Sequence, residues 1–128
     1  MRRDDGLMEL LEASVVDCLE YRILVLAGEI DASVKDELLA RITDLIDHDR
    51  TPLLIDMTGV KFCDSSGLTV AVRARRHAAA SGNRLAFCGL TSRVGEVFRI
   101  TGMDRFVAVY PTLADAAQAI TNPGRRTL

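Results

Sequence analysis

The chain has 128 residues, enough for one domain, and its 48% hydrophobic and 27% charged content is that of a folded protein rather than a disordered one. Lys and Arg number 16 against 18 Asp and Glu, a formal net charge of -2, which supplies no electrostatic basis for direct nucleic-acid binding. No apolar run is long enough to span a bilayer, and no secretory core follows the charged start, so neither a membrane partner nor export is expected.

Residues 1–7 and the stretch from Asn122 onward have the composition of tails, and the domain proper is expected over residues 9–121, with 1–8 an N-terminal extension and 122–128 a C-terminal tail. Residues 10–19 and 21–28 are two strand-like runs; the short gap at Glu20 makes them an antiparallel pair. Ser33, with Asp36 three residues on, has the pattern of a capping box. Behind it Val34, Leu38, Ile42, Leu45 and Ile46 recur at helical spacing, with Lys35, Glu37, Arg41, Asp44 and Asp47 on the other side.

Pro52 restarts the chain, and Leu53 to Met57 is a short apolar run suited to a central strand. A second helix is predicted after Asp64-Ser65-Ser66-Gly67, with Leu68, Ala71, Val72, Arg75 and Ala79 as its buried stripe and Ser81-Gly82-Asn83 as its stop. Residues 85–88 form another strand and residues 92–101 a third helix ending at Gly102. Residues 106–110 are assigned to the last strand, and Thr112 caps a last helix with Leu113, Ala116, Ala117 and Ile120 inward. The order ββαβαβαβα implies an α/β fold with a mixed, mostly parallel sheet and helices packed against it.

Chemistry is sparse. Cys18, Cys63 and Cys88 are far apart without a CxxC pair, so each is expected to be a reduced thiol, and neither a disulfide frame nor a metal site is indicated. His77 has no acidic partner nearby in sequence, and there is no GxSxG elbow, SxxK pair at Ser65 or Ser66, or Walker A loop. A serine hydrolase is therefore a remote alternative, and no cofactor is expected. Arg73, Arg75 and Arg76 cluster, which on its own describes a solvated face.

Two segments stand out. Asp64-Ser65-Ser66-Gly67-Leu68 crowds a carboxylate and two hydroxyls at a helix N-terminus, on the carboxyl edge where open α/β sheets carry their sites. Either serine suits an N-cap, and the same place tolerates added negative charge. Gly28-Glu29-Ile30-Asp31-Ala32-Ser33 is an acidic capping loop that parallel topology puts on the same edge.

These segments, with Leu54-Ile55-Asp56-Met57, Gly82-Asn83-Arg84-Leu85 and Thr101-Gly102-Met103-Asp104-Arg105-Phe106, resemble the bacterial anti-sigma-factor antagonists of the STAS superfamily, in order over about residues 9 to 121. The resemblance implies a STAS fold and a cytoplasmic, non-enzymatic partner switch. An antagonist of this kind binds an anti-sigma factor that is also a serine kinase, which releases a sigma factor. Phosphorylation breaks the complex and a serine phosphatase restores it. By position in the motif the acceptor is Ser65, with Asp31, Asp64, Ser66, Gly67 and Leu68 as the partner-binding residues. A STAS subunit of another assembly, such as a stressosome or lipid-transport complex without a serine switch, is the alternative.

Overall fold

The computed structural model describes residues 2–8 and 10–121, with side chains from residue 10 onward. Six strands form one sheet in the order of the chain: β1 (Arg2–Met8), β2 (Leu11–Asp17), β3 (Arg22–Ile30), β4 (Leu53–Cys63), β5 (Leu85–Cys88) and β6 (Val109–Tyr110). The first three pair antiparallel and the last three join in parallel. The helices are α1 (Lys35–His48), α2 (Ser65–Ala80), α3 (Ser92–Ile100), the single turn α4 (Met103–Phe106) and α5 (Leu113–Thr121).

The pleat divides the core in two. On β4, Leu53, Ile55 and Met57 join one apolar cluster with the buried sides of α1, α2 and α3, while Leu54 joins another beneath α5 with Ile23, Ala86, Cys88, Ala116 and Ile120. Alternate residues of a single strand thus feed both layers, as a sheet covered on both faces requires. In α1, Leu38, Ile42 and Ile46 are fully buried at the expected helical spacing, each contributing about 1.5–3 kcal/mol.

Four expectations need correction. Residues 2–8 are an edge strand rather than a tail: β1 pairs with β2 from Met8↔Leu11 to Arg2↔Val16. An edge strand needs only backbone partners, and charged residues such as Arg2, Arg3, Asp4 and Asp5 suit an edge while hiding it from a search for apolar alternation. The tail assigned to residues 122–128 lies outside the described residues.

The central strand does not stop at Met57. It runs on to Cys63, and the turn-like Thr58-Gly59 is absorbed by register shifts against β3, where Val25↔Asp56 is followed by Ala27↔Gly59. The Asp56 carboxylate holds the bulge by accepting from the Thr58 N–H (3.0 Å) and hydroxyl (2.6 Å). The last strand, expected over residues 106–110, shrinks to Val109–Tyr110, because Gly102 takes a left-handed φ of +77° and restarts the chain as α4.

The buried side of α2 is also different. Gly67, Val70, Ala71, Ala74 and Ala78 face the core, whereas Leu68 and Val72 are half-buried and Arg75 and Ala79 exposed. Small residues let the helix lie close to its neighbours, while Leu68 packs half-buried against the margin of the core and Val72 is also half-buried.

Candidate functional site

The site begins with a strand pairing. Ile30 and Cys63, the last residues of β3 and β4, are register partners in a parallel pair, so the chain leaves both strands at one edge of the sheet. The Asp64 N–H donates to the Ile30 carbonyl at 3.2 Å, the last cross-strand link before the chain turns into α2. The β3–α1 loop, with Asp31, and the β4–α2 junction, with Asp64, therefore stand side by side.

At that junction Asp64 is the N-cap, rather than either serine. Its backbone is extended and its carboxylate accepts from the Ser66 N–H at 2.8 Å, while its carbonyl accepts from the Gly67 N–H at 3.0 Å. Two of the free donors of the first turn are thereby satisfied without a serine hydroxyl. Ser65 is exposed, and its hydroxyl has no hydrogen-bond partner among the described residues; only its carbonyl is engaged, by the Thr69 hydroxyl at 3.1 Å. Ser66 is half-buried, its N–H spent on Asp64.

Gly67 sets how close this turn sits to the sheet. A Cβ there falls 2.0 Å from the Cys63 sulfur and 3.3 Å from Ile30 Cγ2. Glycine is thus required by close approach, and the first turn of α2 rests directly on the ends of both strands. Cys63 beneath it is buried, and burial, with the nearby Asp64 charge as a smaller cause, pushes its thiol up to about 11. Cys63 is packing material here, not a nucleophile. Cys88 is likewise buried and free, its thiol pushed up to about 11 by burial and then by Asp56; Cys18 is half-buried.

Asp31 shapes its own loop. Its Oδ1 accepts from the Ser33 N–H (2.9 Å) and hydroxyl (2.6 Å), forming an Asx-type turn. This overturns the Ser33–Asp36 capping box: the Ser33 hydroxyl is held two residues upstream, and α1 starts at Lys35 with Val34 as N-cap and no side-chain cap bond.

Beside Ser65 runs an open groove of about 430 Å³, walled by Leu68, Thr69 and Val72 along α2 and Met103 of α4, with Arg73 and Arg76 at its far end. Sequence reasoning placed Leu68 at the site but assigned Val72 to the core and passed over Met103. The available signal is a second stripe: with Gly, Ala and Val filling the inner face of α2, Leu68 and Val72 lie at its half-buried margin. Phe62, two residues before the cap, is a further apolar side chain at this edge, 41% exposed.

The histidines stand elsewhere. His77 does have a carboxylate partner, Asp47 at 2.7 Å, brought from thirty residues away where the C-terminal ends of α1 and α2 meet. Twelve residues along α2, it is about 18 Å from Ser65, beyond the reach of a general base. Among the described residues no three His, Cys, Asp or Glu side chains converge as metal ligands, and no helix is long and apolar enough to cross a membrane.

A mixed sheet flanked by α1 and α2 on one face and α5 on the other, with a capped serine-rich turn on its carboxyl edge, defines a small α/β module. Residues 13–116 match the STAS domain family, and the chain belongs to it. Over 86 residues it is 30% identical to an anti-sigma-B factor antagonist of Listeria monocytogenes, spanning 67% of this chain and 75% of the relative. Its fold matches the crystal structure of an anti-sigma factor antagonist from Mycobacterium paratuberculosis with a TM-score of 0.77 at 25% identity, over 86% of this chain and 93% of the other. It also matches the Bacillus cell fate determinant SpoIIAA in two states: unphosphorylated (TM-score 0.69, 19% identity, 91% and 98% coverage) and phosphorylated (0.63, 20%, 84% and 98%).

Proposed function

We propose that this chain is an anti-sigma-factor antagonist that acts in the bacterial cytoplasm as a binding protein rather than a catalyst. It docks on an anti-sigma factor that is also a serine kinase, releases a sigma factor, and is switched off by phosphorylation of Ser65 and on again by a serine phosphatase. The observation that carries this reading is the exposed Ser65 hydroxyl. It stands without a partner on the first turn of α2, at the edge it shares with Asp31 and Asp64, in a chain whose relatives are anti-sigma-factor antagonists.

Docking uses the apolar flank of α2. Leu68, Val72 and Met103 supply contact area next to the acceptor, and Gly67 fixes the height of the turn that presents it. Asp31, Asp64 and Ser66 hold the loop geometry around the hydroxyl, and the two carboxylates give the edge its negative character. A phosphate on Ser65 adds about -1.5 to -2 charges. Lost contact and repulsion need amount to only about 3–4 kcal/mol to weaken a complex by several hundredfold.

The test is reconstitution. Tagged wild-type protein should capture an ATP-binding serine kinase, identified by mass spectrometry, and that purified kinase with ATP should place phosphate on Ser65. The Ser65→Ala variant should bind the kinase and resist inactivation, and Ser65→Asp should fold but bind poorly. Phosphate mapped to Ser66, or full modification of the Ser65→Ala variant, refutes the assignment.

A further inference from the structure

The apolar groove beside Ser65 ends on charge. Along its α2 wall Leu68, Val72 and Arg76 follow one another at steps of four residues, a single ridge of the helix about 12 Å long. Arg73 stands with Arg76 at the end away from Ser65. The groove is open, a form that receives the surface of another protein rather than enclosing a small molecule.

That charge is unanswered within the chain. The 16 residues of α2 include no Asp or Glu, although the sequence holds 18 of them. Arg73 and Arg76 are exposed and three residues apart, so their guanidinium charges repel across one turn of the helix. Neither makes an ion pair among the described residues, whereas Arg22 meets Asp17 and Asp49 and Arg99 meets Glu96. A face that is merely solvated gains from mixed signs one turn apart, and here only one sign is present. Arg76 is also placed: its guanidinium lies 6.0 Å from the centre of the Phe106 ring, which carries Arg75 at 4.6 Å. One turn before Leu68, the same ridge begins at the Asp64 carboxylate. The strip is therefore negative at the Ser65 end, apolar in the middle and positive at the far end.

We propose that Arg73 and Arg76 receive carboxylates of the anti-sigma factor, presented by an amphipathic helix whose apolar side lies on Leu68, Val72 and Met103. This rests on the antagonist reading of the same surface and adds the chemistry of the partner. A length of about 12 Å is roughly two turns of a docked helix. Two apolar residues one turn apart, with an acidic residue a turn further on, match Leu68, Val72 and Arg76. Guanidinium forks bind carboxylates through paired hydrogen bonds, which a lysine cannot reproduce. Because the two ends of the strip differ in sign, the acidic end of the helix is admitted only away from Ser65, and charge fixes the direction of docking.

The experiment is calorimetric titration of the full chain and its variants with the serine kinase that the wild type captures, at about 0.15 M salt, where diffuse surface attraction is screened. Arg73→Gln and Arg76→Gln should each weaken binding at least about fivefold, and Arg76→Lys, which keeps the charge and loses the fork, should weaken it less than Arg76→Gln. Arg73→Glu combined with Arg76→Glu should weaken it at least about a hundredfold. Arg93→Gln, the same charge change on α3 outside the groove, should bind as the wild type does. Stability separates docking from structure: with a like-charge pair removed, the double Gln variant should show a urea midpoint equal to or above that of the wild type. Gln variants that bind within about twofold of the wild type overturn the proposal and leave the antagonist reading standing, whereas a wild type that captures no kinase overturns both. Equal weakening by Arg93→Gln reduces the effect to net charge and overturns the proposal, as does a fall in midpoint that accounts for the lost binding. So does self-association of the chain that the Glu pair abolishes while kinase binding is unchanged.

Discussion

Gly67→Ala tests the seating of the α2 turn on the sheet. The new Cβ arrives 2.0 Å from the Cys63 sulfur, well inside contact distance, and the sulfur is buried and has little room to move. Overpacking of this kind costs about 1–3 kcal/mol, while alanine in place of glycine in a helix returns up to about 1 kcal/mol. A net loss of about 1–2 kcal/mol is expected. Cys63→Ala removes the obstructing atom and leaves a small void, costing about 1 kcal/mol alone. In that background the nearest remaining contacts are 3.3 Å to Ile30 Cγ2 and 3.7 Å to the residue 63 Cβ, which are tight but tolerable. Gly67→Ala should then be neutral or stabilising, giving a coupling energy of about 2 kcal/mol between the two positions. Urea denaturation of the wild type, both single variants and the double variant measures it, with the slope of the transition checked for constancy. A single variant within about 0.5 kcal/mol of wild type, or strictly additive losses, refutes the close packing of α2 on Cys63.

Other expectations follow from the same contacts. Asp31→Ala should cost about 1 kcal/mol through the lost Ser33 bonds, whereas Asp31→Asn keeps the Oδ1 acceptor and should be near neutral; on the proposed reading Asn still weakens kinase binding, and binding equal to wild type makes Asp31 a turn residue only. Thiol labelling at pH 8 should modify Cys18 first, with Cys63 and Cys88 reacting at the rate of opening; fast reaction of either buried thiol contradicts its placement on the sheet. The Arg22 guanidinium, with help from the Thr51 N–H, holds the Asp49 carboxyl at about 2, below its ordinary 3.8. Because the folded-state value is the lower one, the stabilisation is complete above pH 3.8 and is lost as pH falls through about 2. With the Asp49 side chain 42% exposed, screening reduces this to about 1 kcal/mol. Asp49→Asn should flatten the stability profile between pH 5 and 2 by that amount, as read by urea melts, and an unchanged slope counts against the pair.

What could be read in advance follows a physical division. Segments whose residues differ in polarity between two faces were legible: the β2–β3 pair, the stripe of α1, the β5 run and the Thr112 cap, whose hydroxyl accepts from the Asp115 N–H at 3.1 Å. Segments held by backbone pairing or by size were not. The charges of β1 conceal an edge strand, and the Thr58-Gly59 bulge imitates a turn. The inner face of α2 is chosen by smallness rather than hydrophobicity, so the larger Leu68 and Val72 look like core. At the site the motif was legible, but its internal roles were not. Asp64, Ser65 and Ser66 are all cap-forming residue types, and only the hydrogen bond from the Ser66 N–H to Asp64 decides among them. Equally hidden was the Asp47–His77 contact, which joins residues thirty apart.

That one bond bears on how a switch at Ser65 could be reversible. With Asp64 already capping α2, the serine hydroxyl contributes nothing to the helix end, so modifying it removes no stabilising contact. The added dianion stands next to the Asp64 carboxylate. At a separation of about 6 Å in water the repulsion is about 0.7 kcal/mol per charge, or about 1.4 kcal/mol in all. The N-terminal end of the helix dipole offsets about 0.3–1 kcal/mol of it. The fold is left nearly indifferent to the phosphate, within about 1 kcal/mol. A partner seated on Leu68 and Val72, as proposed, would meet the same dianion in a desolvated contact, where each charge counts several times more. On the proposed reading, phosphorylation would separate the two equilibria, folding hardly moved and docking moved by several kcal/mol, and that separation is what a reversible switch requires. Had a serine been the N-cap instead, as the sequence allowed, modification would also remove a cap bond and draw about 1 kcal/mol from the fold itself. Thermal denaturation of stoichiometrically phosphorylated and unmodified protein separates these cases. A Tm difference of no more than about 4 °C fits the Asp64 cap, and a drop of about 7 °C or more contradicts it.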